Sequence, residues 1–131
     1  MYKQLIEKAI RARELSYSPY SKFKVGSALL CSSGKIYTGC NIENVSYTPT
    51  ICAERTAIFK AISEGEKEFE VVAIVGGFDE KIDFCYPCGV CRQVLKEFVN
   101  SDFKIIVAKS LDNYKVYTMN ELLPFSFTLE K

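Results

Sequence analysis

The sequence predicts an α/β fold, a three-layer α/β/α sandwich around a mixed central β-sheet of about five strands. Two observations predict it: an early pair of strand-like segments separated by a turn, and a later succession of strand, helix and strand. A hairpin pairs its strands antiparallel, whereas a strand-helix-strand unit makes a right-handed crossover between parallel strands, so the sheet is mixed. The 131 residues, 48% of them hydrophobic, suit a single domain over residues 1–131.

The first predicted elements are a helix and a hairpin. The helix ends before Ser18-Pro19, and its apolar residues recur at helical spacing between charged ones. They are Leu5, Ile6, Ala9, Ile10 and Ala12. Lys24 to Ser32 and Lys35 to Asn41 then have the composition of strands, and Ser33-Gly34 between them indicates a turn.

A second helix is predicted from Thr50 to Glu64. Pro49 just before it and Gly65 just after it are typical start and stop signals. This assignment places Cys52 and Glu54 in the first turn of the helix.

The remaining elements complete the sheet. Val71 to Val75 is a continuous apolar run, typical of a strand covered on both faces, and Gly76-Gly77 is expected to end it. The elements predicted after it are a loop from Phe78 to Pro87, a helix from Gly89 to Asn100, a strand from Phe103 to Ala108, an edge strand from Tyr114 to Tyr117 and a short helix from Met119 to Leu123.

Charge and hydropathy exclude some classes of function. The 17 basic and 16 acidic residues nearly cancel and form no basic run, so we expect no nucleic-acid polymer as substrate. Charged residues interrupt Met1 to Ser16, which therefore predicts neither a signal peptide nor a membrane span. We expect a cytoplasmic protein without a membrane partner.

Two cysteine motifs carry the chemistry. Cys52-Ala53-Glu54 is followed by Pro87-Cys88-Gly89-Val90-Cys91, with Cys88 placed 36 residues after Cys52. Three thiolates from Cys52, Cys88 and Cys91 can hold one Zn²⁺ and leave a coordination position for water, as in catalytic sites. Because the sequence has no histidine, a base near neutral pH must be another group, and Glu54 is placed to take a proton from that water.

Two features of these motifs leave alternatives open. Cys85 stands before Cys88 at the spacing of an iron–sulfur ligand run, and as a fourth ligand it could close a structural zinc site. Pro87 favours an extended residue before it and so favours Cys85 outside the site. Arg55 and Arg92 each follow a site residue and could donate hydrogen bonds to sulfur; the more apolar helix favours Arg55.

Motifs along nearly the whole chain resemble, in the same order, those of the small homotetrameric cytidine deaminases. The segments that carry the resemblance are Pro19-Tyr20-Ser21-Lys22-Phe23-Lys24-Val25-Gly26, Gly39-Cys40-Asn41-Ile42-Glu43-Asn44, Cys52-Ala53-Glu54-Arg55-Thr56-Ala57, Pro87-Cys88-Gly89-Val90-Cys91-Arg92-Gln93 and Leu122-Leu123-Pro124. Tyr86 departs from the pattern, since a small hydroxyl residue is expected there.

The resemblance implies a site with one Zn²⁺ per chain, held by Cys52, Cys88 and Cys91, with Glu54 as the proton-transferring group. Arg55 would hydrogen-bond the thiolates. The implied substrate contacts are Ala53 N–H with the base carbonyl, Phe23 with the base, Asn41 and Glu43 with the ribose 3′-hydroxyl, and Tyr47 and Phe127 with the site of a neighbouring subunit in a homotetramer.

The implied function is zinc-dependent deamination of cytidine and deoxycytidine to uridine and deoxyuridine plus ammonia, in pyrimidine salvage. A related alternative is a deaminase of another cytosine nucleoside, of the aminoacyl-nucleoside antibiotic type, because that group resembles the chain in both cysteine motifs. Asn41-Ile42-Glu43-Asn44 and Leu122-Leu123-Pro124 favour cytidine. The alternative from a different class is a structural zinc module without catalysis, which requires a fourth protein ligand.

Overall fold

The computed structural model describes residues 1–131 as five β-strands and four α-helices. In chain order these are α1 (Tyr2–Arg13), β1 (Phe23–Cys31), β2 (Ile36–Cys40), α2 (Ala53–Ser63), β3 (Phe69–Phe78), α3 (Gly89–Phe98), β4 (Lys104–Ala108), β5 (Tyr114–Thr118) and α4 (Met119–Leu122).

The strands form one mixed sheet in the order β2-β1-β3-β4-β5. β1 pairs antiparallel with both β2 and β3, and β4 pairs antiparallel with β5. β3 and β4 are parallel, as the strand-helix-strand succession predicts, because α3 crosses over between them. The predicted five-stranded mixed sheet is confirmed.

The sheet is covered on both faces, which gives three layers. Alternate residues of β3 point to opposite sides: Val72 and Ile74 belong to the core beneath α2 and α3, whereas Val71 and Ala73 belong to the core beneath α1. Each fully buried large aliphatic side chain stabilises such a core by about 1.5–3 kcal/mol. None of the four helices has the length and apolar composition needed to cross a bilayer.

β3 is longer than the sequence predicts. It runs to Phe78, so Gly76 and Gly77 lie inside the strand, and the expectation that they end it is wrong. The two glycines pair with Val25 and Lys24 of β1. Small residues are needed here because the following loop lies against the strand: a Cβ on Gly77 would meet the Lys81 carbonyl oxygen at 1.8 Å.

α2 begins later than the predicted Thr50. Ile51 is instead held in extended backbone by reciprocal hydrogen bonds of 3.0 Å with Ile42. Cys52 follows as the N-cap, with φ −80° and ψ 158°, so it precedes the first turn rather than lying within it. Glu54 does lie in the first turn, as predicted.

α2 lies unusually close to the sheet, and this closeness sets the position of its N-terminus. A Cβ on Gly39 of β2 would lie 2.5 Å from the Ala53 carbonyl oxygen and 2.6 Å from the Ala57 nitrogen. The buried Ser27 hydroxyl of β1 donates to the same Ala53 carbonyl at 2.8 Å. Backbone contact and hydrogen bond together hold the first residue of α2 against the sheet.

Gly39→Ala is therefore expected to lower the free energy of unfolding by about 1–3 kcal/mol, because the added methyl group would push α2 away from β2. Urea unfolding of the metal-free protein measures this. Gly89→Ala is the matched control, since a Cβ there meets no atom within 4 Å. Equal stability of the two variants would contradict the proposed role of the close contact.

Candidate metal centre and substrate pocket

The N-termini of α2 and α3 meet at a cluster of three sulfur atoms. Cys52 is the N-cap of α2, Cys88 is the N-cap of α3, and Cys91 lies in the first turn of α3. Their Sγ atoms all lie within 4.8 Å of one another. Helix N-termini favour thiolates, because their free N–H groups and dipoles stabilise negative charge. The Cys91 N–H, for example, donates to Cys88 Sγ at 3.5 Å.

The spacing of the sulfurs fits a zinc ion. Cys52 Sγ and Cys88 Sγ are 3.7 Å apart, and two sulfurs bound at about 2.3 Å to a tetrahedral Zn²⁺ lie about 3.8 Å apart. Thiolates are also the soft ligands that Zn²⁺ accepts readily. The cluster therefore matches a zinc centre both in distance and in ligand chemistry.

Hydrogen bonds stabilise negative charge within the cluster. They lower the pKa of Cys52 to about 5, first through Cys91 and then through Arg55. The hydrogen bond to Cys52 and burial raise the pKa of Cys91. These opposite shifts of pKa favour Cys52 over Cys91 as the thiolate.

The structure distinguishes the two candidate arginines. Arg55 Nη2 donates to Cys52 Sγ at 3.2 Å. Arg92 instead donates to backbone carbonyls, to Pro87 at 2.7 Å and to Leu122 at 2.8 Å. Arg55 is therefore the residue that offsets thiolate charge, while Arg92 connects the start of α3 to the end of α4.

Cys85 stays outside the cluster. Its thiol packs on β3, where a Cβ added to Gly76 would meet Cys85 Sγ at 2.8 Å. Burial raises the pKa of this thiol to about 12, which keeps it protonated at neutral pH. The cluster consists of Cys52, Cys88 and Cys91 alone, so the four-cysteine site considered from the sequence is not assembled.

Glu54 is buried beside the sulfurs, with 4% of its surface exposed. Burial disfavours the carboxylate form and raises the pKa of Glu54 to about 7. A carboxyl group with such a pKa can both accept and return a proton near neutral pH.

A pocket of about 330 Å³ opens next to the cluster. Four predicted substrate contacts line it, namely Phe23, Asn41, Glu43 and Ala53, together with Glu54 and the sulfur ligands Cys52 and Cys88. The Phe23 ring stands edge-on to Phe78, with centroids 4.9 Å apart, which holds it at the pocket wall. The volume and mixed lining suit a small organic molecule with a few polar groups.

The polar end of the pocket is formed by Asn41 and Glu43. The Asn41 amide is buried and bonded to β1, accepting from Val25 N–H at 2.9 Å and donating to the Phe23 carbonyl at 2.8 Å. The Glu43 carboxylate accepts from the hydroxyl and backbone N–H of Ser21. The hydroxyl of Ser21 is the main cause of the lowered pKa of Glu43, which is therefore ionised.

Tyr47 and Phe127 do not line this pocket in their own chain. Tyr47 is 81% exposed and borders an adjoining cavity of about 400 Å³, next to Glu43 and Asn44. Phe127 is 69% exposed, and its carbonyl accepts a hydrogen bond from Gln93 Nε2 at 3.1 Å. Their predicted role in a neighbouring subunit's site remains a prediction.

Sequence reasoning missed three of the pocket residues, namely Ser21, Thr50 and Ile51, while Tyr86, noted from the sequence as a departure from the family pattern, also lines the pocket. The Tyr86 hydroxyl lies 3.1 Å from that of Tyr117 on β5, so the loop before α3 is tied to the far edge of the sheet. No local pattern signals a contact between residues so far apart in the chain, although the position of Tyr86 beside Pro87-Cys88 could have suggested proximity.

Comparison with known proteins agrees with this geometry. The family model described as "Cytidine and deoxycytidylate deaminase zinc-binding region" matches residues 1–108. The chain is 45% identical to a cytidine deaminase of Sporosarcina psychrophila, over 97% of this chain and 91% of that protein. It is also 30% identical to a Blasticidin-S deaminase of Bacillus cereus, over 95% and 91%.

The fold resembles solved structures as well. A crystal structure of cytidine deaminase from Burkholderia pseudomallei superposes with a TM-score of 0.88 at 41% identity, covering 97% of this chain and 99% of that one. The likeness therefore extends over nearly the whole chain.

Measurement of bound zinc distinguishes the three cysteines of the cluster from Cys85. Cys88→Ser is expected to abolish stoichiometric zinc binding, because it removes one of three thiolates, whereas Cys85→Ser is expected to retain about one zinc per chain. Metal analysis after removal of free zinc measures both. Release of zinc by Cys85→Ser would show a fourth ligand and contradict the three-sulfur site.

Proposed function

The chain belongs to the cytidine and deoxycytidylate deaminase family, and we propose that it converts cytidine and deoxycytidine to uridine and deoxyuridine with release of ammonia, a step of pyrimidine salvage. One observation carries the proposal: the buried carboxyl group of Glu54 lies in the first turn of α2, directly after Cys52, at the pocket beside three sulfurs suited to zinc. That arrangement combines a metal site and a proton carrier.

Zinc is the cofactor, and Cys52, Cys88 and Cys91 are the residues that would hold it. Bound zinc supplies a Lewis acid that lowers the pKa of water to about 7 and so provides the nucleophile. Three thiolates carry more negative charge than the ion can balance. Arg55, which donates to Cys52 Sγ, withdraws part of that charge.

Glu54 moves the protons of the reaction. It takes a proton from the attacking water and delivers it to N3 of the cytosine ring, while the water oxygen bonds to C4. It then takes the remaining proton from the hydroxyl group now on C4 and delivers it to the amino group, which leaves as ammonia when the C–N bond breaks and the C4 carbonyl forms. The buried setting that raises the pKa of Glu54 suits a group that alternates between acid and base.

The pocket lining orients the nucleoside. The Ala53 N–H, at the free N-terminus of α2, is suited to donate to the base carbonyl, because the first N–H groups of a helix have no partner within it. Phe23, the first residue of β1, would lie against the base. Asn41 and Glu43 would bind a sugar hydroxyl, the amide as donor and the carboxylate as acceptor.

A second candidate has one observation in its favour. The relative named Blasticidin-S deaminase shares 30% identity with this chain, which keeps an aminoacylated cytosine nucleoside as a possible substrate class. The 45% identity to a cytidine deaminase and the sugar-facing Asn41 and Glu43 favour cytidine. A non-catalytic zinc module requires a fourth protein ligand, and Cys85 does not supply one.

The proposed assembly is a homotetramer in which neighbours share sites. Tyr47 and Phe127 are large apolar side chains left exposed, at 81% and 69%. Aromatic side chains are enriched where protein chains contact one another. Tyr47 also borders the cavity that adjoins the substrate pocket at Glu43, so a partner seated there would lie next to the sugar end of the site.

Ammonia release from the zinc-loaded protein with cytidine tests the function. Glu54→Gln is expected to keep zinc and fold but to lower kcat by about 10²- to 10⁴-fold, since the amide cannot carry a proton. Glu14→Gln, a change to an exposed glutamate at the end of α1, is the matched control and should leave the rate unchanged.

The proposed function would be wrong if the folded, zinc-loaded protein released no ammonia from cytidine or deoxycytidine. Release only from an aminoacylated cytosine nucleoside would support the second candidate. Full activity of Glu54→Gln would contradict the proposed role of Glu54 as proton carrier.

Native mass spectrometry is expected to give four times the 14.8 kDa chain mass. Site sharing is tested by co-expressing a Glu54→Gln chain with a Tyr47→Ala chain. Each alone should be poorly active, while mixed tetramers should regain activity, because some sites combine intact Glu54 with a neighbour's intact Tyr47. A monomer, or mixed oligomers no more active than either parent, would contradict shared sites.

A further inference from the structure

The orientation of the Asn41 amide is determined by the backbone of β1. Asn41 Oδ1 accepts from the Val25 N–H at 2.9 Å, and Nδ2 donates to the Phe23 carbonyl at 2.8 Å. Turning the amide over would set donor against donor and acceptor against acceptor. The oxygen therefore faces Val25, and the nitrogen faces Phe23.

Ser16 occupies the remaining acceptor position of that oxygen. Its hydroxyl donates to Asn41 Oδ1 at 2.5 Å. Ser16 lies just beyond α1, where its N–H bonds to the Arg13 carbonyl at 3.1 Å, and its hydroxyl is 3.1 Å from that of the buried Ser18. An amide oxygen has two lone pairs, and Val25 and Ser16 use both. The only hydrogen-bonding capacity left on the Asn41 side chain is one N–H of Nδ2.

The Glu43 carboxylate also has most of its hydrogen-bonding positions occupied, but the position that remains is an acceptor. Its Oε1 accepts from the backbone N–H groups of Tyr20 and Ser21 at 3.0 and 3.1 Å, and its Oε2 accepts from the Ser21 hydroxyl. One acceptor position remains, on Oε2. Asn41 and Glu43, which line the same pocket, thus offer one donor and one acceptor. A hydroxyl group, which accepts and donates at once, satisfies both.

We propose that Ser16 is a positioning residue for substrate recognition: by occupying the second lone pair of Asn41 Oδ1, it makes Asn41 a donor only, so that the Asn41–Glu43 pair binds a sugar hydroxyl in a single orientation. This rests on the proposed function, which supplies a nucleoside for the pocket. Ser16 itself does not line the pocket and acts through Asn41.

Removing the Ser16 hydroxyl has a defined consequence. Asn41 Oδ1 regains a free lone pair, to which water or the sugar hydroxyl can donate in competition with Glu43. The amide also loses one of the three bonds that hold it. The contact with the sugar hydroxyl weakens, while groups at the sulfur cluster and the base keep their partners.

Steady-state kinetics with cytidine, 2′-deoxycytidine and 3′-deoxycytidine test this. Ser16→Ala is expected to raise KM for cytidine and 2′-deoxycytidine about five- to tenfold with kcat little changed, the result of weakening one hydrogen bond made equally in ground and transition states. The 3′-deoxy analogue lacks the hydroxyl and should be affected much less. The preference for cytidine over that analogue should therefore fall by about the same factor.

Two further variants control the experiment. Ser16→Thr retains the hydroxyl and should behave like the original protein. Ser33→Ala removes a serine hydroxyl from the turn at the opposite end of β1, where it bonds to Glu66, and should change neither KM nor the preference.

The outcomes are distinguishable. If Ser16→Ala lowers kcat/KM equally for cytidine and 3′-deoxycytidine, Ser16 supports only the fold, and the inference is wrong. Unchanged KM for both substrates overturns it as well. If the protein without substitutions fails to deaminate cytidine, the proposed function fails first, and the inference falls with it.

Discussion

The convergence of two helix N-termini on one point is the constraint on which the site depends. Cys52 caps α2 and Cys88 caps α3, and their sulfurs are 3.7 Å apart. Each helix end brings partial positive charge and free N–H groups to a place where thiolates gather. The position of α2 depends in turn on Gly39, whose missing side chain lets the Ala53 and Ala57 backbone lie directly on β2. The packing of α2 on the sheet therefore fixes the position of Cys52 in the sulfur cluster.

The start of α2 supplies opposite electrostatic environments at two positions two residues apart. Cys52, at the cap, is stabilised as a thiolate by the Cys91 and Arg55 hydrogen bonds. Glu54, one step into the helix, is buried, and its pKa rises because burial disfavours its charge. The start of α2 thus provides both a thiolate and a carboxyl group that can be neutral, because Cys52 faces hydrogen-bond donors and Glu54 is buried at the pocket.

The end of the pocket formed by Asn41 and Glu43 depends on a different part of the molecule, where the chain leaves α1 and enters β1. Arg13 donates to the carbonyls of Lys24 and Gly77 and so holds the start of β1 to the end of β3. Ser16 and Asn41 continue this network to the pocket. The sulfur cluster is thus built by two helix N-termini, and the opposite end of the pocket by the start of β1 and the residues that follow β2.

The sequence by itself determined the chemistry. Cysteine spacing identified the three sulfur residues and Glu54 beside them, and the hairpin and strand-helix-strand patterns identified the mixed sheet. The tertiary structure decided the element bounds and the contacts that no short stretch of sequence specifies. Pairing with β1 extends β3 past Gly76, and the hydrogen bonds between Ile42 and Ile51 make α2 begin after Ile51. Pro87 already favoured Cys85 outside the site, and the packing of Cys85 against β3 confirmed this. Only hydrogen-bond geometry made Ser16 a partner of Asn41. The position of Cys85 and the bond between Ser16 and Asn41 depend on contacts between residues that are distant in the chain. Such contacts form only when the chain folds.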